Sequence, residues 1–398
     1  MENRQSFIIS GLTIVGEKET IEHGYIHVNR GRIIKMGRTS ERVDLNDSPH
    51  VYTFSSNFSL IPGMIDVHIH GANGADTMDA SSEALDTLSK ALPMEGTTSF
   101  LATTMTQSPE AIEKALVNVS EYVKNGTKPG HAEILGIHLE GPFISKEKIG
   151  AQPLEFVAKP SVEQFKTFQK EADNLIKLVT LAPEEDDHHA LMSYLKSEGI
   201  VISIGHSNAT YKQVNEAIQS GATHVTHLYN GMTGFHHREP GVVGAALLRK
   251  ELTAELIVDG IHSDPAVIDL AFRQKGKEQL VLITDSMRAK CLKNGQYDLG
   301  GQTVYVKDGR AELENGHLAG SVLKMSDAFR NMMEFTNASL EDVVEMTSAN
   351  PAKELNLFDR LGSLEEGKDA DLVVLDENRQ VVMTFCKGNL AYERKGSD

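Results

Sequence analysis

Leu60-Ile61-Pro62-Gly63-Met64-Ile65-Asp66-Val67-His68-Ile69-His70-Gly71 passes from an apolar run into two histidines separated by one residue. The apolar part reads as a buried β-strand. Alternate residues of a strand face the same side, with Cα atoms roughly 6.5 Å apart, so His68 and His70 converge on one point at its C-terminal end. A shared metal ion is the commonest reason for such a pair, and a metal beside open space suggests hydrolysis. The plainer reading is a chance pair on a surface strand, which a run this apolar does not favour.

Working outward, runs of the same texture recur at 97–103, 133–139, 176–181, 200–205, 224–228, 254–258 and 280–284, which with 60–70 makes eight. Helix-like patterns fall between most of them, at 83–94, 109–124, 162–171, 188–197, 211–220 and 265–275. Eight parallel-type strands alternating with helices predict a (β/α)8 TIM barrel over residues 59–358. An open doubly wound sheet would carry a glycine-rich phosphate turn after an early strand, and none is present. Short alternating runs at 7–13, 25–29 and 32–36 return in kind at 370–375 and 381–384. These predict one small β-sandwich domain built from residues 1–58 and 359–398.

The formal charge of −17 over 398 residues argues against a nucleic-acid surface, while leaving room for a local site for one small anion. Cys291 and Cys386 are the only cysteines, too few for a disulfide framework. The first residues, Met1 to Gln5, lack a signal-type apolar stretch, and no run is long enough to span a bilayer. The expectation is a cytoplasmic protein without membrane or nucleic-acid partners.

Barrel active sites form at the C-terminal ends of the strands. Beyond His68 and His70, those ends carry Glu140, His206, His227, Asp259, His262 and Asp285, while the strands themselves are apolar. A His/Glu/Asp set without thiolates suits Zn²⁺, Fe²⁺, Mn²⁺ or Co²⁺ in a catalytic site. A bound ion lowers the pKa of its water from about 16 toward 7 and so supplies hydroxide. Asp285 would then act as general acid/base; its plainer reading is a helix cap. His188 and His189 follow an acidic loop and are expected at the surface. His138 faces either the site or the packed barrel interior, and His224 is read as structural. The glycine-rich stretch Asn230 to Gly234 offers backbone amides to an oxyanion. Arg238 either grips a phosphate or pairs with Glu239 on the surface.

These motifs resemble the family of N-acetylglucosamine-6-phosphate deacetylases, within the amidohydrolase superfamily. Gly367-Lys368-Asp369-Ala370-Asp371-Leu372 marks only the superfamily. More specific are His138-Leu139-Glu140-Gly141-Pro142-Phe143, Gly205-His206-Ser207, Thr226-His227-Leu228-Tyr229-Asn230, His236 to Gly241, Asp259-Gly260-Ile261-His262, Thr284-Asp285-Ser286-Met287 and Leu318-Ala319-Gly320-Ser321. The resemblance implies hydrolysis of the acetamide of N-acetylglucosamine 6-phosphate by a metal-bound hydroxide. Glu140, His206 and His227 would hold the main ion, and Asp285 would serve as acid/base. Asn230 and Gly231 would bind the 6-phosphate through their amides, His262 would contact the sugar, and Leu318, Ala319, Gly320 and Ser321 would line the substrate loop. It further implies a homodimer in which Arg238 reaches the phosphate of the neighbouring subunit.

The chain departs from the family pattern in places. His68 and His70 are intact where some members carry Gln and Asn, implying room for a second ion bridged by Glu140. Gln152 stands where many members have histidine, and Gly231 where alanine is commoner. Thr180-Leu181-Ala182-Pro183 contains no lysine for the bridge used by other amidohydrolases.

Overall fold

The computed structural model describes residues 6–16, 19–41 and 50–395. Residues 1–5, on which the expected lack of a signal segment rests, lie outside them. Eight parallel strands form one sheet: β1 (Met64–Ile69), β2 (Thr97–Thr103), β3 (Glu133–Glu140), β4 (Ile176–Leu181), β5 (Val201–Ile204), β6 (His224–Val225), β7 (Thr253–Ile257) and β8 (Leu280–Ile283). A helix follows each strand: α1 (Ser82–Ala91), α2 (Pro109–Lys124), α3 (Val162–Glu171), α4 (Ala190–Ser197), α5 (Tyr211–Ser220), α6 (Gly241–Leu248), α7 (Pro265–Lys275) and α8 (Met325–Phe335). This is the (β/α)8 barrel that the alternation predicts.

Local chemistry sets the helix starts. Ser81, Ser108, Ser161, Thr210 and Asp264 each accept an orphan backbone N–H of the helix they precede, and Pro109 and Pro265 occupy first positions where no N–H is needed. The helix expected from 188 instead begins at Ala190. His188 and His189 adopt left-handed backbone (φ 56° and 52°), and the Asp186 carboxylate takes the N–H groups of Leu191 and Met192.

The run 60–70, which reads as one strand, divides at Gly63. Ser59–Pro62 pairs with Thr13–Val15 and Leu372–Leu375 in a separate six-stranded sheet, and β1 starts at Met64. A side chain at position 63 would meet the Thr98 hydroxyl at 2.0 Å, so glycine is required where the chain crosses between sheets. The six-stranded sheet and a four-stranded one (Phe7–Ser10, Gly24–Asn29, Arg32–Arg38, His50–Thr53) share an apolar core. Phe7 stacks on Phe385 there at 4.7 Å, which ties the two ends of the chain together.

Between β1 and β8 the barrel closes with few backbone bonds. Asp285 N–H donates to the His68 carbonyl at 2.8 Å, and His70 N–H to that of Ser286 at 3.0 Å. Below them the buried Asp66 carboxylate accepts both the hydroxyl (2.5 Å) and the N–H (3.3 Å) of Thr284. After β8 a three-stranded hairpin unit (Gly295–Leu299, Gln302–Lys307, Arg310–Leu313) folds onto a small core containing Met105, Met287 and Ala319. No described helix is long and apolar enough to cross a membrane.

Candidate active site

The strands are largely apolar because the barrel packs both of their faces, with a few buried polar groups such as Asp66, His138 and Glu255 inside them; polar groups gather where the strands end. His68 lies near the end of β1, Glu140 closes β3, and His70, His206, His227 and Asp285 follow β1, β5, β6 and β8. His206, His227 and Asp285 sit at φ 47°, 31° and 46°. Left-handed backbone costs a non-glycine residue about 1–3 kcal/mol and persists where surrounding bonds over-determine it. Here they do: Ser145 N–H holds the His206 carbonyl, Asn230 N–H that of His227, and Ser321 N–H that of Asp285. β6 is correspondingly short, since His227 leaves the strand rather than extending it to 228.

Of the three groups of donor atoms that result among the described residues, one (His68, His138 and Glu255) is wholly buried; the other two are His68 with His70 and Asp285, and Glu140 with His206 and His227. Glu140 reaches both. Its Oε1 lies 3.2 Å from each Nε2 of His206 and His227 and 3.5 Å from that of His68, and its Oε2 lies 3.3 Å from His70 Nε2. Asp285 Oδ1 lies 3.3 Å from His70 Nε2 and 3.5 Å from His68 Nε2, while the His206 and His227 Nε2 atoms are 3.1 Å apart. Ligands at about 2.1 Å around a tetrahedral ion stand about 3.4 Å from one another, so these spacings fit a divalent cation. His68 Nε2 is buried without a hydrogen-bond partner among the described residues, an arrangement that suits a cation better than a packed core.

The far side of two of the rings is held as well. His206 Nδ1 donates to the Lys148 carbonyl at 2.8 Å and His68 Nδ1 to Glu255 Oε2 at 2.9 Å, which leaves both Nε2 atoms free as ligands. Gln152 donates from Nε2 to Glu140 Oε2 and accepts Thr106 N–H on Oε1, both at 2.8 Å.

Burial disfavours every charge here, yet opposite charges win. Burial alone would raise Glu140; His68, His206 and His227 hold it well below the usual carboxylate range. Asp285 is likewise raised by burial but ends below its ordinary value because of His68 and His70. Burial pulls His70 down, and the Asp285 and Glu140 carboxylates lift it to about 9. His138 goes the other way: burial and the neighbouring His68 lower it to about 3. It is a neutral packed ring, bonded through Nε2 to the Thr180 hydroxyl at 2.7 Å.

Above these groups opens a cavity of about 490 Å³. Of the residues singled out by sequence, Gln152, Asn230, Gly231, His262, Leu318 and Gly320 line it, together with His70, Glu140, His206, His227 and Asp285. His262 Nδ1 is held by Asp259 Oδ2 at 2.6 Å, leaving Nε2 for a ligand. Ala319 and Ser321 are not brought to the cavity. Ala319 is buried in the hairpin core, and Ser321 donates its hydroxyl to the Thr284 carbonyl at 2.5 Å. Arg238 does not line it either: it is exposed, with its guanidinium 2.8 Å from His237 Nε2.

Three groups escaped the sequence reading. Arg310 and His317 line the cavity from the hairpin unit, whose place above the barrel is not visible in their own sequence. Glu255 is fully buried. A single acidic residue within Thr253-Ala254-Glu255-Leu256-Ile257 was the signal that could have found it.

A family model described as the amidohydrolase family matches residues 59–391. The N-acetylglucosamine-6-phosphate deacetylase of Bacillus subtilis (strain 168) is 50% identical over 396 residues, 99% of each chain. The crystal structure of the enzyme of that name from Thermotoga maritima is 36% identical, with a TM-score of 0.86 over 97% of this chain and 100% of the other. A mutant of the Mycobacterium smegmatis enzyme, in complex with N-acetyl-D-glucosamine-6-phosphate, is 28% identical, with a TM-score of 0.90 over 97% of this chain and 99% of the other.

Proposed function

From the premise that this chain belongs to the amidohydrolase family, and within it to the N-acetylglucosamine-6-phosphate deacetylases, we propose that it hydrolyses N-acetylglucosamine 6-phosphate to glucosamine 6-phosphate and acetate. The observation that carries the reading is the pair of donor groups sharing Glu140 on the floor of the cavity, with the Asp285 carboxylate beside them.

Amidohydrolases are generally metal-dependent, and the residues fit one or two ions of Zn²⁺, Fe²⁺, Mn²⁺ or Co²⁺ per subunit. Glu140, His206 and His227 would hold the first, and His68 and His70 the second, with Glu140 shared. Such an ion supplies a water acidified toward neutral pH and polarises the acetyl carbonyl. Asp285 is ionised at rest and so enters as a base. It takes a proton from the attacking water and returns it to nitrogen as the carbon–nitrogen bond breaks; the water oxygen stays on the acetyl carbon. Gln152 keeps Glu140 in place. Asn230 and Gly231 amides would hold the 6-phosphate and His262 the sugar. Arg238, exposed outside its own cavity, would complete the phosphate site of a neighbouring subunit in a homodimer. The proposal keeps the domain division at 59–358 for the barrel, with 1–58 and 359–398 forming the small domain, except that Ser59–Pro62 belongs with the small domain's sheet. It also keeps a cytoplasmic location, with which two unpaired cysteines agree.

Acetate release from phosphorylated and unphosphorylated N-acetylglucosamine, by wild type and by Arg238→Ala, tests this. Losing one charge-assisted contact of about 1.5–3 kcal/mol should raise KM for the phosphorylated sugar about 10–100-fold and leave the free sugar unaffected. No preference for the phosphorylated sugar in the wild type, or equal effects of the substitution on both, would contradict the assignment.

A further inference from the structure

We infer that Glu255, His224 and Glu354 form a buried positioning relay for His68, and thereby set how tightly the half-site of His68 and His70, with Glu140 shared, takes up an ion. The inference rests on the proposed reading of His68 and His70 as ligands of a second ion.

Glu255 lies in the middle of β7 between Ala254 and Leu256, and none of it is exposed. A carboxylate buried so deeply needs partners, and its partners all lead to the site. Oε2 accepts His68 Nδ1–H at 2.9 Å and the backbone N–H of His227 at 3.0 Å. One carboxylate thus ties together a ligand of each half-site. A carboxylate only accepts, so it fixes His68 as the tautomer with the proton on Nδ1 and leaves the Nε2 lone pair facing Glu140 and Asp285.

The chain of contacts continues away from the site. Glu255 Oε1 lies 3.1 Å from His224 Nε2, and His224 Nδ1 lies 2.5 Å from Glu354 Oε1. With a carboxylate on each side, His224 donates from both nitrogens and cannot turn without losing one bond. Glu354 ends the short helix Asn350–Glu354. The Asn350 side chain of that helix donates to the Leu280 carbonyl, at the first residue of β8, so the helix packs against the N-terminal end of the barrel. The relay therefore runs through the barrel interior, from the end opposite the cavity up to His68. None of the three lines the cavity, which assigns them to positioning rather than to substrate contact.

The test is Zn²⁺ binding by equilibrium dialysis against a buffered chelator, on the full-length protein and on Glu255→Gln, His224→Gln and Glu354→Gln. Far-UV circular dichroism establishes that each variant is folded. The wild type should take two ions. In the variants the dissociation constant of the weaker ion should rise about 10–100-fold, while that of the tighter ion and KM for substrate stay as in wild type. Should Glu255→Gln fail to fold, Glu354→Gln, at the far end of the relay, carries the test alone. Unchanged affinity for the weaker ion in the folded variants overturns the relay and leaves the two-ion reading standing. A wild type that takes only one ion overturns the two-ion reading, and the relay with it.

Discussion

Asp285 shows how much chemistry one residue can draw from its surroundings. Its backbone is strained at φ 46°, its N–H is spent on His68 and its carbonyl on Ser321, so the side chain has little freedom. His68 and His70 keep the carboxylate ionised in a setting that would otherwise protonate it. Asp285→Asn keeps the shape and removes the carboxylate proposed as base. It should lower kcat by about 10²–10⁴ while the metal content stays as in wild type. Turnover close to wild type would remove Asp285 from the proton path. Single residues of this kind were legible in the sequence, because a charge at the end of an apolar strand has few structural excuses. Glu255 was not singled out, since one acid inside a strand does not say which histidines it faces. Arg238 was legible only through the family resemblance, since its own neighbours allow a surface pair with Glu239 as readily as a phosphate contact.

At the scale of elements, the eight strands and their helices could be read from periodicity because each alternates cleanly with the next. What periodicity could not show is where one sheet hands the chain to another. Leu60 to His70 is continuous in hydropathy, and only the crowding at Gly63 against Thr98 reveals the crossing. The hairpin unit after β8 was missed in the same way, because its short strands carry no sign of the element they cover. The β1–β8 seam depends on one side chain in its lower half. Asp66 is pushed up to about 6 by burial, against the pull of Lys290 and the Thr284 hydroxyl. Lys290 is itself buried and paired with Glu95 at 2.6 Å. Removing the carboxylate takes an acceptor from the N–H groups of Thr284 and His68 and leaves the Thr284 hydroxyl only Ser286 Oγ at 3.2 Å, each orphaned buried group costing about 1–3 kcal/mol. Asp66→Ala should therefore lower unfolding stability by about 2–5 kcal/mol in urea titration. A loss below 0.5 kcal/mol, the range of ordinary surface changes, would mean the seam is held by other contacts.

Across the whole molecule, buried charge couples the fold to pH. Burial pulls His224 down, but Glu354 and Glu255 raise it to about 10, above its unfolded value. Its contribution to stability is thus fully present below about pH 6.5 and is lost as pH rises through about 10. The stability difference between wild type and His224→Gln, measured by urea unfolding in metal-free buffer, should shrink between pH 7 and pH 10.5. A difference that grows over that range would mean His224 is not held charged. Carboxylates act at the other end: Glu255 is raised by burial but held well below its ordinary value by His68 and His224, so its contribution is lost as pH falls into the acid range. Both effects belong to the same interior that gathers His68, His70, Glu140, His206, His227 and Asp285 beneath one cavity.

Chelation with reconstitution reaches the central claim most directly. Acetate and glucosamine 6-phosphate should appear in equal amounts from N-acetylglucosamine 6-phosphate, fall to background once a chelator has stripped the protein, and return on adding Zn²⁺, Mn²⁺ or Co²⁺. Full turnover by metal-free protein, or a reconstituted protein that releases no acetate from this sugar, would contradict the account.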